Sequence, residues 1–384
     1  MAWRALVVVS VAGCGRLNFD PIDGVGLREV VSFSAHGTHS CAIDNVGDLW
    51  CWGSGEYGEL GGEMITMKPL PRRVPDVPPI ARVDLGENVT FAIDRSNRLW
   101  AWGHNDLGQL GIGTRSPAEP QPHLIDVAQP QQTAASQYFT CTRTRTGTTS
   151  CWGVNDCGEL GDGTTTSREL PGPSVMSLAG TRALAVHDIF ACAIDDAEQL
   201  RCWGSPLDYS YIPSWSTATL VTGLPRIVQL EGGCHLTMCA VDEAGAVWCI
   251  GQNTFGQLGN GTTTGSAVFT QVLDVGPTRG AMEIAVGAYH ACARTADDHV
   301  YCWGNNASGE LGTGEPGLMM TATPRELPFF DGSIPIDDLE AGCNHTCVRS
   351  GADLYCWGSN AVGSIGDGAL ENRYAPVRVR MELP

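Results

Sequence analysis

The sequence predicts an all-β, seven-bladed propeller with four-stranded antiparallel blades, and three observations carry that prediction. A Trp-Gly phrase returns along the chain at a spacing near 50 residues. Each copy places side chains alternating at period two on both sides of a Gly-containing turn, the signature of a β-hairpin. The 384 residues include 48 glycines and 11 tryptophans but only 17% charged side chains, a composition that suits many tight turns around a packed core and argues against disorder. A repeat of that length made of short strands indicates a propeller or solenoid, and seven copies suit a closed ring.

In chain order, the first element is a leader. Arg4 supplies a positive charge ahead of an apolar run at 5–11. That run is far shorter than the roughly 20 residues a membrane span needs, and it suits the apolar region of a signal peptide. Val11-Ala12-Gly13-Cys14 resembles the lipobox of bacterial lipoproteins. The resemblance implies removal of residues 1–13 and acylation of Cys14, with several acyl chains giving a stable anchor where one would not. Gly15, standing where Asp signals inner-membrane retention, implies the outer membrane, on either its periplasmic or its outer side. The alternative for this segment is an uncleaved anchor or a misassigned start codon. Residues 14–28 then read as a lipidated tether, since they hold Gly, Pro and Asp without a period.

Residues 29–384 hold the repeats. Cys51-Trp52-Gly53 recurs as Ala101-Trp102-Gly103, Cys151-Trp152-Gly153, Cys202-Trp203-Gly204, Cys249-Ile250-Gly251, Cys302-Trp303-Gly304 and Cys356-Trp357-Gly358. Within a copy, a β-rich run such as His39 to Asp44 leads into a turn at Gly47 and returns as Leu49 to Trp52. Asn45-Val46-Gly47 suits a three-residue loop with Gly in the left-handed position. A glycine-rich loop follows, for example Gly103-His104-Asn105-Asp106-Leu107-Gly108-Gln109-Leu110-Gly111, whose Leu is expected to plug the space between blades. A Pro-rich link and a last strand such as Arg72-Arg73-Val74 complete the unit.

Ser34-Ala35, His39, Ala42-Ile43, Cys51-Trp52-Gly53 and Gly58-Glu59-Leu60-Gly61 resemble the regulator-of-chromosome-condensation repeat, as do Gly287, His290, Ala293, Trp303-Gly304-Asn305 and Gly309-Glu310-Leu311-Gly312. The resemblance covers about residues 29 to 384. It implies the propeller fold and says little about activity, because these residues build the blade. Val74 follows Gly61, and Val379 follows Gly366, by the same 13 residues. We therefore expect the C-terminal strand to close the ring by joining a blade that contains residues near Val30 to Phe33.

Sixteen cysteines without a CxxC pair point to an oxidising compartment and away from zinc. Six copies carry two cysteines nine or ten residues apart: Cys41/Cys51, Cys141/Cys151, Cys192/Cys202, Cys239/Cys249, Cys292/Cys302 and Cys347/Cys356. Pairing Asp44 with Asp48 sets Cys41 opposite Cys51, within disulfide reach at a non-hydrogen-bonded site. The second copy loses both partners together, with Phe91 and Ala101 in their places, as a disulfide requires. Cys157, Cys234 and Cys343 stay unassigned; the last two occupy similar places in copies five and seven and are either free and buried or bridged elsewhere.

The acidic balance, 42 acidic against 23 basic residues with net charge -19, disfavours nucleic acid as a partner. His39, His290 and His345 recur two residues before a cysteine, which fits a structural hydrogen bond better than a catalytic triad. Glu59, Glu159 and Glu310 alternate with Gln109 and Gln257, a replacement general acid-base catalysis does not tolerate. They are expected at the surface or capping loops. The Asp44 turn lacks sialidase Asp-box spacing, and Asp162-Gly163 and Asp367-Gly368 are too short a signal for calcium. No catalytic, metal or cofactor site is expected.

After Trp203-Gly204 the fourth copy lacks the Gly-x-Leu-Gly loop and carries Tyr209, Tyr211 and Trp215 instead. These aromatics either form part of a partner-binding face or fill the gap left by the loop leucine. Ile250, standing for the blade Trp, reads as a packing change. The preferred function is a non-catalytic protein-binding scaffold, monomeric, touching the membrane through its lipid alone. The resemblance implies guanine-nucleotide exchange as an alternative, which would need a cytosolic protein with reduced thiols. A hydrolase or lyase with its site in the central channel is the other.

Overall fold

Gly turns fold each copy back on itself, so every strand finds its partners within its own repeat. The computed structural model describes residues 29–206, 215–273, 275 and 280–381. Seven antiparallel sheets follow one another along the chain, each taking its strands in sequence order from axis to rim, with no helix among the described residues. Blade one runs Val30–His36, His39–Asp44, Leu49–Ser54 and Met67–Arg73. Its second turn is organised by Asp44: Oδ1 accepts from the amides of Val46, Gly47 and Asp48, and Oδ2 accepts from Trp50 Nε1. Gly47 sits there at φ 96°, as the turn demands.

Six blades have four strands. In blade three the ladder stops at Pro130–Ala135, Phe139–Thr144 and Thr149–Gly153. Its fourth place is taken by a segment that meets the third strand only at the bridges Gly153–Arg168 and Ser150–Ser174. Pro171 and Pro173 fall between those bridges and lack the N–H a ladder needs. Prolines also stud the other rims, at Pro69, Pro71, Pro120, Pro324 and Pro376, where they blunt the exposed edges.

The blades are joined at seams. The loop leucine enters the apolar cluster of the next blade, as Leu60 does beside Trp102. Trp52, Trp102, Trp152, Trp203, Trp303 and Trp357 are fully buried, and each indole N–H donates across a seam to a loop carbonyl of the preceding blade at 2.8–2.9 Å. The acceptors are the carbonyls of Ser364, Glu59, Gln109, Glu159, Gln257 and Glu310. Burial of the ring supplies most of the stabilisation, roughly 4 kcal/mol, and the hydrogen bond, about 1 kcal/mol, sets the register.

Ring closure differs from expectation in its hydrogen bonding. The C-terminal strand Arg373–Arg378 pairs within its own blade, after Asp353–Gly358, and blade one is complete without it. Each repeat already supplies four strands, so no exchange is required. Val379 does share an apolar cluster with Val30 and Phe33. The closing seam is an ordinary seam: Trp52 donates to Ser364, and the Ser40 hydroxyl pairs with His345 Nε2 at 2.8 Å.

All six hairpin pairs form disulfides, each with Cα atoms 4.1 Å apart. Blade two keeps the same register, with Phe91 opposite Ala101. A seventh disulfide joins Cys234 to Cys343 and encloses 109 residues, settling the pair the sequence left open. Cys157 is a free thiol whose pKa is pushed up to about 11, by burial first and then by the charges of Glu159 and Asp156. Both causes favour the protonated thiol near neutrality.

Candidate functional site

The seven innermost strands run in phase, and their polar residues converge on the axis. A β-bulge near the start of several of them, between Val30 and Ser32 or Ile227 and Gln229 for example, turns the following side chains toward the channel. An upper tier holds Ser32, Arg82, Gln132, Ala183, Gln229, Glu283 and Asp338, and a deeper tier Ser34, Asp84, Ala134, Ala185, Glu231, Ala285 and Glu340.

Several of these side chains tie one blade to the next. Asp84 Oδ2 accepts from the Thr133 amide at 2.9 Å, while its Oδ1 holds Arg82 at 2.7 Å. Gln132 donates to the Leu184 carbonyl, and Gln229 exchanges hydrogen bonds with the backbone of Ile284. Glu283 accepts from Arg294. Below them lies a cavity of about 80 Å³ bordered by Ser34, His36, Asp84, Glu231 and Glu340 among others.

One mouth of the channel is sealed. The short turns after the innermost strands meet around the ring: the Cys343 amide donates to the Gly37 carbonyl, the Ala288 amide to Cys343, and the Ser136 hydroxyl to Asp188. Approach is so close that a side chain at Gly37 would strike the Glu87 carbonyl, and one at Gly233 the Gly287 carbonyl. The Cys234–Cys343 disulfide lies in this seal, with His36 Nδ1 3.7 Å from Cys234 Sγ. Beside it His235 Nδ1 meets Asp188 Oδ2 at 3.4 Å, and Glu87 is pushed up to about 7 by burial and the Asp188 charge. Among the described residues the channel is thus a blind funnel that opens at the strand starts.

The residues singled out in the sequence fall elsewhere. Tyr209 and Tyr211 lie outside the described residues, as does Cys14. Trp215 begins the outer strand Trp215–Leu220, its ring 6.2 Å from Phe190, within the apolar cluster that holds Met238 and Ile250. It is engaged in the seam between blades four and five. The recurring histidines make the structural bonds expected of them: His39 Nε2 pairs with Thr90 Oγ1 at 3.0 Å and His290 Nε2 with Thr346 Oγ1 at 2.8 Å, both across seams. Glu59, Glu159 and Glu310 are buried, not exposed. Each caps its own loop, as Glu59 Oε2 does for the Tyr57 amide at 2.8 Å, and Gln109 and Gln257 do the same with a neutral oxygen. One acceptor oxygen is all the position needs, so Glu and Gln interchange. Sequence reasoning missed Glu231 and Glu340; only their shared place in the repeat could have flagged them.

Known proteins share this architecture. The regulator of chromosome condensation (RCC1) repeat matches residues 46–93, 96–142, 244–294 and 297–349, together more than half of the chain. The chain is 28% identical over 199 residues to the human E3 ubiquitin-protein ligase HERC2, a stretch covering 51% of this chain and 4% of that protein. It is 28% identical over 162 residues to the mouse RCC1-like G exchanging factor-like protein, covering 40% and 34%. To the ultraviolet-B receptor UVR8 of Arabidopsis thaliana it is 32% identical over 186 residues, covering 45% and 40%. In each case it spans less than half of the relative's length. Among solved structures, human WBSCR16 superposes with TM-score 0.75 at 20% identity over 87% of this chain and 94% of that one. Prp20p of Saccharomyces cerevisiae, described with its binding to Gsp1p and histones, gives 0.75 at 22% identity over 87% and 86%. With its repeats in phase and its seven blades closed into a ring, this chain belongs to the regulator of chromosome condensation (RCC1) repeat family.

Proposed function

We propose that this propeller is a non-catalytic protein-binding scaffold, tethered by a lipid on Cys14 and working outside the reducing cytosol. The observation that supports this reading is the set of seven disulfides, six stapling hairpins and one crossing the ring. So many buried bridges suit an oxidising compartment, and a rigid ring is a good platform for displaying loops. Binding of protein partners by relatives, as the description of Prp20p states for that protein, agrees with it. The anchor is tested by fractionation of cells making the full chain. Wild type is expected in the membrane pellet and Cys14→Ser in the soluble fraction; equal distribution of the two would remove the lipid from the reading. The partner face is tested with Tyr209→Ala/Tyr211→Ala, leaving Trp215 in place because it packs in a seam. Loss of partner crosslinking with an unchanged unfolding midpoint supports a face on blade four.

Nucleotide exchange is the second reading, favoured by the mouse exchange-factor-like relative. It calls for a cytosolic chain and stimulated nucleotide release from a small GTPase. A channel hydrolase or lyase meets a physical obstacle, since a cavity of about 80 Å³ is well below the roughly 300 Å³ at which ligand pockets begin.

A further inference from the structure

The funnel contains two carboxylates that no structural task uses. Of the channel acids, Asp84 is held by Arg82 and the Thr133 amide, Glu283 by Arg294, and Asp338 by Arg349 at 2.9 Å. Arg143 is spent on Gln131 and Gln132. Glu231 and Glu340 receive no hydrogen bond from any described residue, although both are half-buried and border the cavity. A half-buried carboxylate without a donor is costly unless it meets a cation or keeps a proton. Burial first and then the neighbouring carboxylates push both above their ordinary range, Glu231 to about 8, and Arg82, already bonded to Asp84, offsets this only in part. Near the starts of the innermost strands of blades one, five and six, Val31, Val228 and Met282 are 48%, 49% and 59% exposed. Room is limited to a small head group. Too few ligating groups gather there for a metal among the described residues.

We propose that the blind channel is a binding site for an organic cation of the guanidinium or alkylammonium class, its head received by Glu231 and Glu340 and its apolar stem lying against Val228 and Met282. The net charge of -19 draws such a ligand to the ring. The cation arrives either as a free small molecule or as an Arg or Lys side chain of a partner. This site stands whether or not the chain carries a lipid.

The test is calorimetric titration of the intact, disulfide-bonded protein with n-butylguanidinium and n-butylammonium, with tetrabutylammonium as a cation too bulky to enter, and with a Leu-Arg-Leu peptide amide. Saturable binding of a butyl probe, with none of tetrabutylammonium, supports a free ligand. Binding of the peptide alone supports a partner's side chain at the same site. Either is expected to weaken at least tenfold in Glu231→Gln/Glu340→Gln, whose side chains keep their shape. Affinity is also expected to tighten about tenfold between pH 6 and 7, because the cation displaces a proton. Ser34→Lys places an ammonium inside the cavity and should block every probe. Absence of binding by all probes, or equal binding by wild type and either variant, overturns the proposal.

Discussion

The seam between blades four and five is built differently from the other six. Elsewhere an indole N–H crosses to a loop carbonyl, and in four of those seams a Ser or Thr hydroxyl, from Ser40, Thr90, Thr140 or Thr346, reaches the same carbonyl. The sequence of blade four lacks the Gly-x-Leu-Gly motif that supplies the acceptor elsewhere. Blade five correspondingly lacks both donors: Ile250 stands for the Trp and Met238 for the hydroxyl. Phe190, Trp215, Met238 and Ile250 fill the space as one apolar cluster. The difference teaches that the glycine-rich loop serves the next blade and not its own. Removing an acceptor leaves a buried donor that costs more than the bond was worth, so donor and acceptor disappear together.

Blade five, whose seam with blade four lacks the indole hydrogen bond, is also the blade that carries Cys234, whose bridge reaches past blade six to blade seven. This gives the largest expected effect. In the chain-entropy account a closed loop of 109 residues is worth roughly 4–5 kcal/mol, against roughly 2–3 kcal/mol for a hairpin bridge spanning ten. Cys234→Ala/Cys343→Ala should therefore lower unfolding free energy by roughly 4–5 kcal/mol in denaturant titration. A loss no larger than that of a hairpin pair would mean the bridge closes a ring already fixed by its seams.

The seams themselves come next. Trp303→Ile imposes on the seam of blades five and six what blade five has naturally, but there the Gln257 carbonyl is present and would be orphaned. Cavity and lost bond together should cost roughly 3–4 kcal/mol. The reverse change, Ile250→Trp, overfills a packed seam and offers an N–H where the preceding repeat has no Gly-x-Leu-Gly motif to receive it, for roughly 1–3 kcal/mol. If Ile250→Trp stabilised the protein in thermal unfolding, the pairing of donor and acceptor losses would be coincidence.

These relations explain what the sequence could and could not disclose. The blades and hairpin disulfides were legible because both are local: period two and a ten-residue separation determine that Cys41 faces Cys51. The meaning of Ile250 was not, since its missing partner belongs to the preceding repeat. Cys234 and Cys343 were visible as equivalents, yet only closure of the ring brings blades five and seven within reach. Glu231 and Glu340 are ordinary strand acids in sequence, and become a pair only through the phase of the innermost strands. The expected strand exchange failed for a related reason: matching offsets at Val74 and Val379 are satisfied equally by a blade that is whole.

Blade two sharpens the comparison at smaller scale, since Phe91 and Ala101 replace a disulfide at an equally buried site. Cys41→Ala/Cys51→Ala should cost roughly 3 kcal/mol, part of it constraint and part an unfilled site. Cys41→Phe/Cys51→Ala copies blade two and should recover about 1 kcal/mol of the packing share. No recovery in urea unfolding would show that blade two relies on its own surroundings, such as the edge of Trp152 against Phe91.

The apolar seam should also be distinguishable by acid. His187 ends the innermost strand of blade four with its ring 5.3 Å from Phe190, and neither ring nitrogen has a hydrogen-bond partner among the described residues. Burial lowers its pKa from the ordinary 6.5 to about 3. The folded state therefore holds it neutral while the unfolded chain takes up a proton below 6.5. Its contribution is complete above pH 6.5 and is lost progressively as pH falls toward 3. Over that window it steepens the acid loss of stability by up to about 1.4 kcal/mol per pH unit. His187→Phe, which suits the neighbouring ring, should remove that share and leave a shallower curve between pH 6 and 4, with little change at pH 7.5. The same substitution at His39, whose Nε2 is bonded to Thr90, should flatten the curve but lower stability at pH 7.5 by about 1 kcal/mol. An unchanged acid slope in the His187 variant would mean that water reaches its ring, and that the seam of blades four and five is not the dry contact its side chains describe.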